Sequence, residues 1–173
     1  MTDLDDFRQE KDHFFKHDGQ SPLTREQRKA FTGLTYFPEN ADLRLEAAVE
    51  PAQTKETIQM QTSTGEVQAY QKYGRFKFAV DGQEAELTIY SGDNGYFLPF
   101  ADALAGGETY GAGRYLEPEP LGGGKFLVDF NLAYNPYCAY NPNWSCPIPP
   151  KENRLTVAVR AGEKVFQAEG QEH

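Results

Sequence analysis

Histidine and cysteine are both scarce in this chain of 173 residues, three of the first and two of the second. A structural zinc site takes about four ligands of cysteine, histidine or carboxylate type. His13 and His17 fall on the first predicted helix and His173 at the end of the chain. Cys138 and Cys146 stand eight apart, which matches no common zinc knuckle, so no metal is expected. No histidine lies near a serine in the later sequence and there is no Gly-x-Ser-x-Gly elbow, which excludes a Ser-His-Asp hydrolase. Basic residues are also few: 17 Lys and Arg against 26 Asp and Glu leave a net charge of -9. That balance gives little drive toward phosphate backbones, so nucleic acid is not an expected partner. No window approaches the ~20 apolar residues that span a bilayer, and MTDLDDFRQEKDHFF has no basic stretch followed by an apolar run. These absences predict a cytoplasmic protein with no membrane contact and with its thiols kept reduced as small buried hydrophobes.

Cofactor fingerprints are missing as well. Gly122-Gly123-Gly124-Lys125 has the wrong glycine spacing for a phosphate-binding loop and runs into a strand. Gly111-Ala112-Gly113 lacks the third glycine and the helix of a dinucleotide site. No cofactor is predicted.

What is present has two periods. Thr2 with Asp5, then Leu4, Phe7, Phe14 and Phe15 on one side of a wheel, predict a first helix that Asp18-Gly19 stops. Arg8 and Lys11 interrupt or flank that stripe and place the helix on a surface. Thr24 and Gln27 form a capping box for a second helix through Phe31, ended by Gly33. After Pro38 the period becomes two, with tight turns at Ser63-Thr64-Gly65, Asp81-Gly82 and Gly92–Gly95. Strands are expected near 43–50, 55–61, 66–73, 75–80, 85–91, 95–99, 112–117, 125–131 and 154–160. The connection through Pro118, Pro120 and Gly122–Gly124 reads as a long hairpin loop. The fold class is therefore α+β: two N-terminal helices on a mainly antiparallel, curved sheet that forms a sandwich or a partly closed barrel. Residues 1–166 make one domain (helical 1–33, β 40–166) and 167–173 a frayed tail.

The segment from Asp129 to Leu155 holds five prolines, five asparagines, both cysteines, the only tryptophan and three tyrosines. A loop of that length inside a compact domain is functional or disordered, and its aromatics argue for order. An ordered loop over 132–153 is expected. Asp129 and Asn131 share one strand face while Phe126, Val128 and Phe130 take the other. Upstream, Asp102 and Glu108 through Tyr115 add carboxylates, phenols and Arg114. A buried carboxylate needs a partner, and Arg114 is the natural one for Asp129 or Glu108. Glu108, Tyr110, Arg114, Asp129, Asn131, Tyr134 and Asn135 are thus the candidate ligand-binding residues, with 138–150 as rim or lid. The bland alternative is a structural network in which Arg114, Glu108 and Asp129 pin the loop, with Asn135, Asn141 and Asn153 as turn formers.

Several of these stretches also resemble a known set. Phe31 to Pro38, Glu108 to Leu116, Asp129-Phe130-Asn131 on to Pro136, Cys138, Cys146-Pro147, Pro149-Pro150, Glu152-Asn153 and Ala161-Gly162-Glu163 are similar to the prokaryotic family called domain of unknown function 1684. The resemblance runs from the first helix to Glu163. It implies a single-domain protein of bacteria or archaea and brings no established activity, so no catalytic residue is carried over. Three functions stay open. The first is a binding domain for a small polar molecule near Arg114 and Asp129. The second is an enzyme, a hydrolase or isomerase, with Asp129 or Glu108 as base and Arg114 as electrostatic stabiliser. The third is an interaction scaffold that shows Trp144 and Tyr137 in one exposed patch. Oligomeric state is left open.

Overall fold

A computed structural model describes residues 3–54, 56–93, 95–141 and 144–166. Thr2, expected to cap the first helix, and the tail 167–173 lie outside the described residues. Helix α1 (Asp3–His17) carries three acids in its first turn and Lys16 and His17 in its last, which suits the helix dipole. Helix α2 (Arg25–Ala30) has the expected capping box: the Thr24 hydroxyl accepts the Gln27 N–H while the Gln27 side chain accepts the Thr24 N–H. Among the described residues no helix is long and apolar enough to cross a membrane.

Among the described residues nine strands follow: β1 (Arg44–Ala48), β2 (Glu50–Pro51), β3 (Thr57–Gln61), β4 (Val67–Val80), β5 (Gln83–Gly92), β6 (Gly95–Phe100), β7 (Arg114–Leu116), β8 (Glu119–Gly122) and β9 (Lys125–Asp129). All pair antiparallel, as a three-stranded sheet β1-β9-β8 and a larger sheet β2-β4-β5-β6-β7 with β3 also on β4. The sheets do not close into a barrel. Alternation decides which faces meet. Phe76, Phe78 and Val80 of β4, Leu87 and Ile89 of β5, and Phe126 and Val128 of β9 are all buried in one cluster with Phe100 and Phe130. Lys77 and Glu84, on the opposite face, are exposed. Asp81 and Gly82 both have positive φ, the requirement of a two-residue type I′ hairpin turn.

Four expectations change. The apolar run 43–50 breaks at Val49, and its two parts join different sheets. Gly74 explains the close passage of β2: a Cβ there would stand 2.5 Å from the Glu50 carbonyl oxygen. The runs 66–73 and 75–80 are one strand, because Tyr73 is absorbed as a bulge between Lys72 and Gly74. The breaker-rich connection contains strand β8, whose Pro120 is tolerated on a sheet edge. Finally, 154–160 is not a strand: it touches the backbone just after β6 through Leu155 N–H to Ala101 C=O and Ala103 N–H to Val157 C=O, and beyond Val157 side chains take up several of its backbone groups.

The helices do not lie on the sheet core. Phe15, Leu23 and Phe31 pack with Tyr140 in a second cluster, and the Phe15 and Tyr140 rings meet edge to face at 4.9 Å. The crossover after β9 is therefore sandwiched between helix and sheet.

Candidate functional site

The crossover begins where Asp129 caps a 3-10 turn (Phe130–Leu132), its carboxylate accepting the Asn131 N–H at 3.0 Å. It then lies antiparallel against β7, with Tyr115 and Tyr134 exchanging backbone hydrogen bonds of 2.8 and 3.0 Å. Two more 3-10 turns, Tyr137–Ala139 and Lys151–Asn153, each follow a proline whose fixed φ starts the turn. The described part of 132–153 is built from short turns and side-chain bonds.

Arg114 is at the centre of this arrangement and is buried, 1% exposed. Gly113 brings it there: its φ of +100° is a left-handed one, and a Cβ would stand 2.5 Å from the Phe100 carbonyl oxygen. The guanidinium donates to the carbonyls of Val159 (2.9 Å), Glu163 (3.1 Å) and Ala161. Its ion partner is Asp102 at 3.7 Å, not Asp129 or Glu108. Asp102 also accepts the Val159 N–H at 2.7 Å and the Thr109 hydroxyl at 3.0 Å. One guanidinium and one carboxylate so satisfy four backbone groups of 159–163, while Phe37 N–H and Ala133 C=O bond Gly162 and Glu163 at its end. Burial pushes the Arg114 pKa down to about 10, against the opposing pull of Asp102 and Glu163.

The other candidates divide. Glu108 is exposed and pairs with Arg160. Asp129 pairs with Arg44 at 3.7 Å, and Asn131 exchanges two hydrogen bonds with the Asn40 backbone. Asn135 is buried and donates to the Lys164 carbonyl at 3.0 Å. Tyr110 meets the Cys138 sulfur at 3.7 Å. Asn153, read as a turn former, is fully buried and stitches β5 to β6 by bonding Thr88 N–H, Thr88 C=O and Pro99 C=O.

Tyr134 alone among the seven lines the principal groove, an open cavity of about 660 Å³ between α1, β7 and the crossover. Its walls include Phe7, Phe14, Tyr115, Tyr134, Tyr137 and Trp144, with Glu10, Lys11 and Glu117 as polar members. Phe7 and Trp144 are 43% and 41% exposed, so the stripe residue Phe7 faces the groove mouth and not a core. Tyr137 and Trp144 meet edge to face at 5.1 Å. Lys11 crosses the floor, 5.1 Å from the Tyr134 ring centre and 5.7 Å from that of Phe15. Its ammonium pairs with Glu163, a carboxylate 2% exposed that also accepts the Tyr140 hydroxyl. The Tyr134 hydroxyl donates to Glu117 at 2.6 Å. Lys11 was read only as a break in a helix stripe and Glu163 only as part of a family resemblance, neither as a site residue. The available signal was a lysine interrupting the apolar stripe of α1.

The family described as Protein of unknown function (DUF1684) matches residues 29–164. The chain belongs to that family. The DUF1684 match takes in both sheets and the crossover but begins after α1, so one groove wall stands outside it. A solved relative, the solution NMR structure of the uncharacterized protein from gene locus rrnAC0354 of Haloarcula marismortui, is 40% identical over 93% of this chain and 91% of its own, with a TM-score of 0.70. No curated protein matches.

Proposed function

We propose that this DUF1684 protein binds a small organic molecule with a flat apolar body and a polar end, held in the groove between α1 and the crossover. The observation that carries this reading is the groove itself. Its volume of about 660 Å³ falls within the ~300–1,000 Å³ usual for ligand pockets. Aromatic rings on both sides offer stacking faces. Lys11 and the Glu117–Tyr134 pair supply the few polar groups that fix orientation. The anchor is therefore Tyr134 with Lys11, since the Arg114 donors are spent on three carbonyls and Asp102. The enzyme reading has less support: Glu108 and Asp129 hold other arginines, and Arg114 faces neither.

Trp144 is the only tryptophan and sits on the groove, which makes its emission a direct probe. Titration with a panel of aromatic acids, amines and amides should give at least one saturable change in emission. Tyr134→Ala should weaken it tenfold or more while leaving the fold, read by circular dichroism, unchanged. A panel that leaves Trp144 emission flat, or that binds the variant equally well, would refute the reading. Phe7 and Trp144, both exposed at the rim, favour a peptide as the second reading. It predicts saturation by aromatic-containing peptides and not by small compounds.

A further inference from the structure

We propose that Cys138 and Cys146 form a peroxide-reactive dithiol site, with Cys138 as the attacking sulfur and Cys146 as the resolving one. Both cysteines are free, Cys138 half-buried and Cys146 buried. Seven residues of crossover separate them, and the Cys138 N–H donates to the Cys146 sulfur at 3.2 Å. A sulfur so close to the neighbouring backbone nitrogen is within reach of that residue's own side chain. The Tyr110 hydroxyl meets the Cys138 sulfur at 3.7 Å, and the Ser63 hydroxyl lies beside the pair. Ser63 also accepts the Cys146 N–H at 3.2 Å and donates to the Trp144 carbonyl at 3.1 Å, so its hydroxyl is held in place.

Such a shell favours a thiolate over a thiol. The hydrogen bond from Cys146, then those from Tyr110 and Ser63, bring the Cys138 pKa down to about 6 against the cost of burial. Cys146 moves the other way, because its proton is held between the two sulfurs and it is buried. One sulfur is thus charged and the other protonated, the state an attacking and resolving pair requires. The groups facing this pair are Tyr110, Tyr115 and Ser63, and both phenols are pushed above their ordinary value, chiefly by burial, so neither competes for the charge.

The chemistry balances with a hydroperoxide as oxidant. The Cys138 thiolate attacks one peroxide oxygen; the S–O bond forms, the O–O bond breaks, and the other oxygen leaves as alcohol or water after taking a proton. Sulfur loses two electrons and becomes a sulfenic acid. The Cys146 thiol then gives up its proton and attacks Cys138, forming the S–S bond and expelling water. Two thiols and one hydroperoxide yield a disulfide, an alcohol (or water) and water.

The test uses the whole reduced protein. Hydrogen peroxide at low excess should remove two hydrogens from the intact mass, and peptide mapping should link Cys138 to Cys146. In Cys146→Ser the reaction should stop at a Cys138 sulfenic acid trapped by dimedone. In Cys138→Ser it should slow by tenfold or more. Iodoacetamide on untreated wild type should label Cys138 ahead of Cys146, with half-maximal rate near pH 6 instead of ~8.5 for an ordinary thiol. Either of two wild-type results, which need no variant to fold, would overturn the proposal. One is a native protein whose thiols survive peroxide that oxidises them once it is unfolded. The other is prior labelling of Cys146.

Discussion

A single buried arginine does the work of a strand edge in this molecule. Arg114 caps three carbonyls of 159–163 while Asp102 takes the Val159 N–H, so removing either leaves buried backbone and a buried charge unpaired. Arg114→Ala should cost about 3–5 kcal/mol in urea unfolding, the range for breaking a buried pair from one side. Arg114→Lys should recover little of it, because one ammonium cannot reach three carbonyls in a planar fork. A loss under ~1 kcal/mol on the same measurement would mean the pair behaves like an exposed one. Asn153 follows the same logic. Its amide closes three backbone groups between β5 and β6, and Asn153→Ala should cost on the order of 3 kcal/mol. The seven candidate residues were chosen for polar chemistry in the right stretch of chain. Composition reveals such groups, but not whether each one's bonds are spent inside the protein, and for Arg114 they are.

At the scale of elements, α1 meets the crossover through Phe15, against Tyr137 and Tyr140, and through Lys11, over the Tyr134 ring. Phe15 packs on Tyr140 and Lys11 meets Glu163. Phe15→Ala should therefore destabilise by about 3–5 kcal/mol, and Trp144 emission should shift to the red as the groove wall loosens. Unchanged emission in that variant would mean that α1 does not shape the groove. Thr24→Ala removes half of a capping box and should cost about 1 kcal/mol. The hairpin at Asp81-Gly82 and the capping box were legible in the sequence because both are local, set by φ preferences and a three-residue spacing. The break at Val49 was not. The run 43–50 reads as one strand, and its division between two sheets depends on what lies beside it.

Across the whole molecule the unusual load is phenolic. Tyr36, Tyr90, Tyr115, Tyr134 and Tyr140 are all pushed far above the ordinary tyrosine value, in each case first by burial. In the unfolded chain they ionise near pH ~10, whereas in the folded protein they keep their protons. The folded state then holds more protons, so stability falls as pH rises. The contribution is fully present below ~10 and lost above it, and a series of thermal melts should show the midpoint dropping steeply there. Cys138 acts oppositely. Its depressed pKa gives a contribution that is lost as pH falls from the unfolded value near ~8.5 through about 6, so melts of wild type and Cys138→Ser should converge at acid pH. The family, the α+β class and the antiparallel pairing were determined by the sequence alone, since periodicity, turn residues and composition act over a few neighbours. Which arginine meets which acid, where the groove opens and how near two sulfurs come were decided only by tertiary structure. Those depend on segments distant in sequence competing for the same hydrogen bonds, and no local pattern ranks such partners.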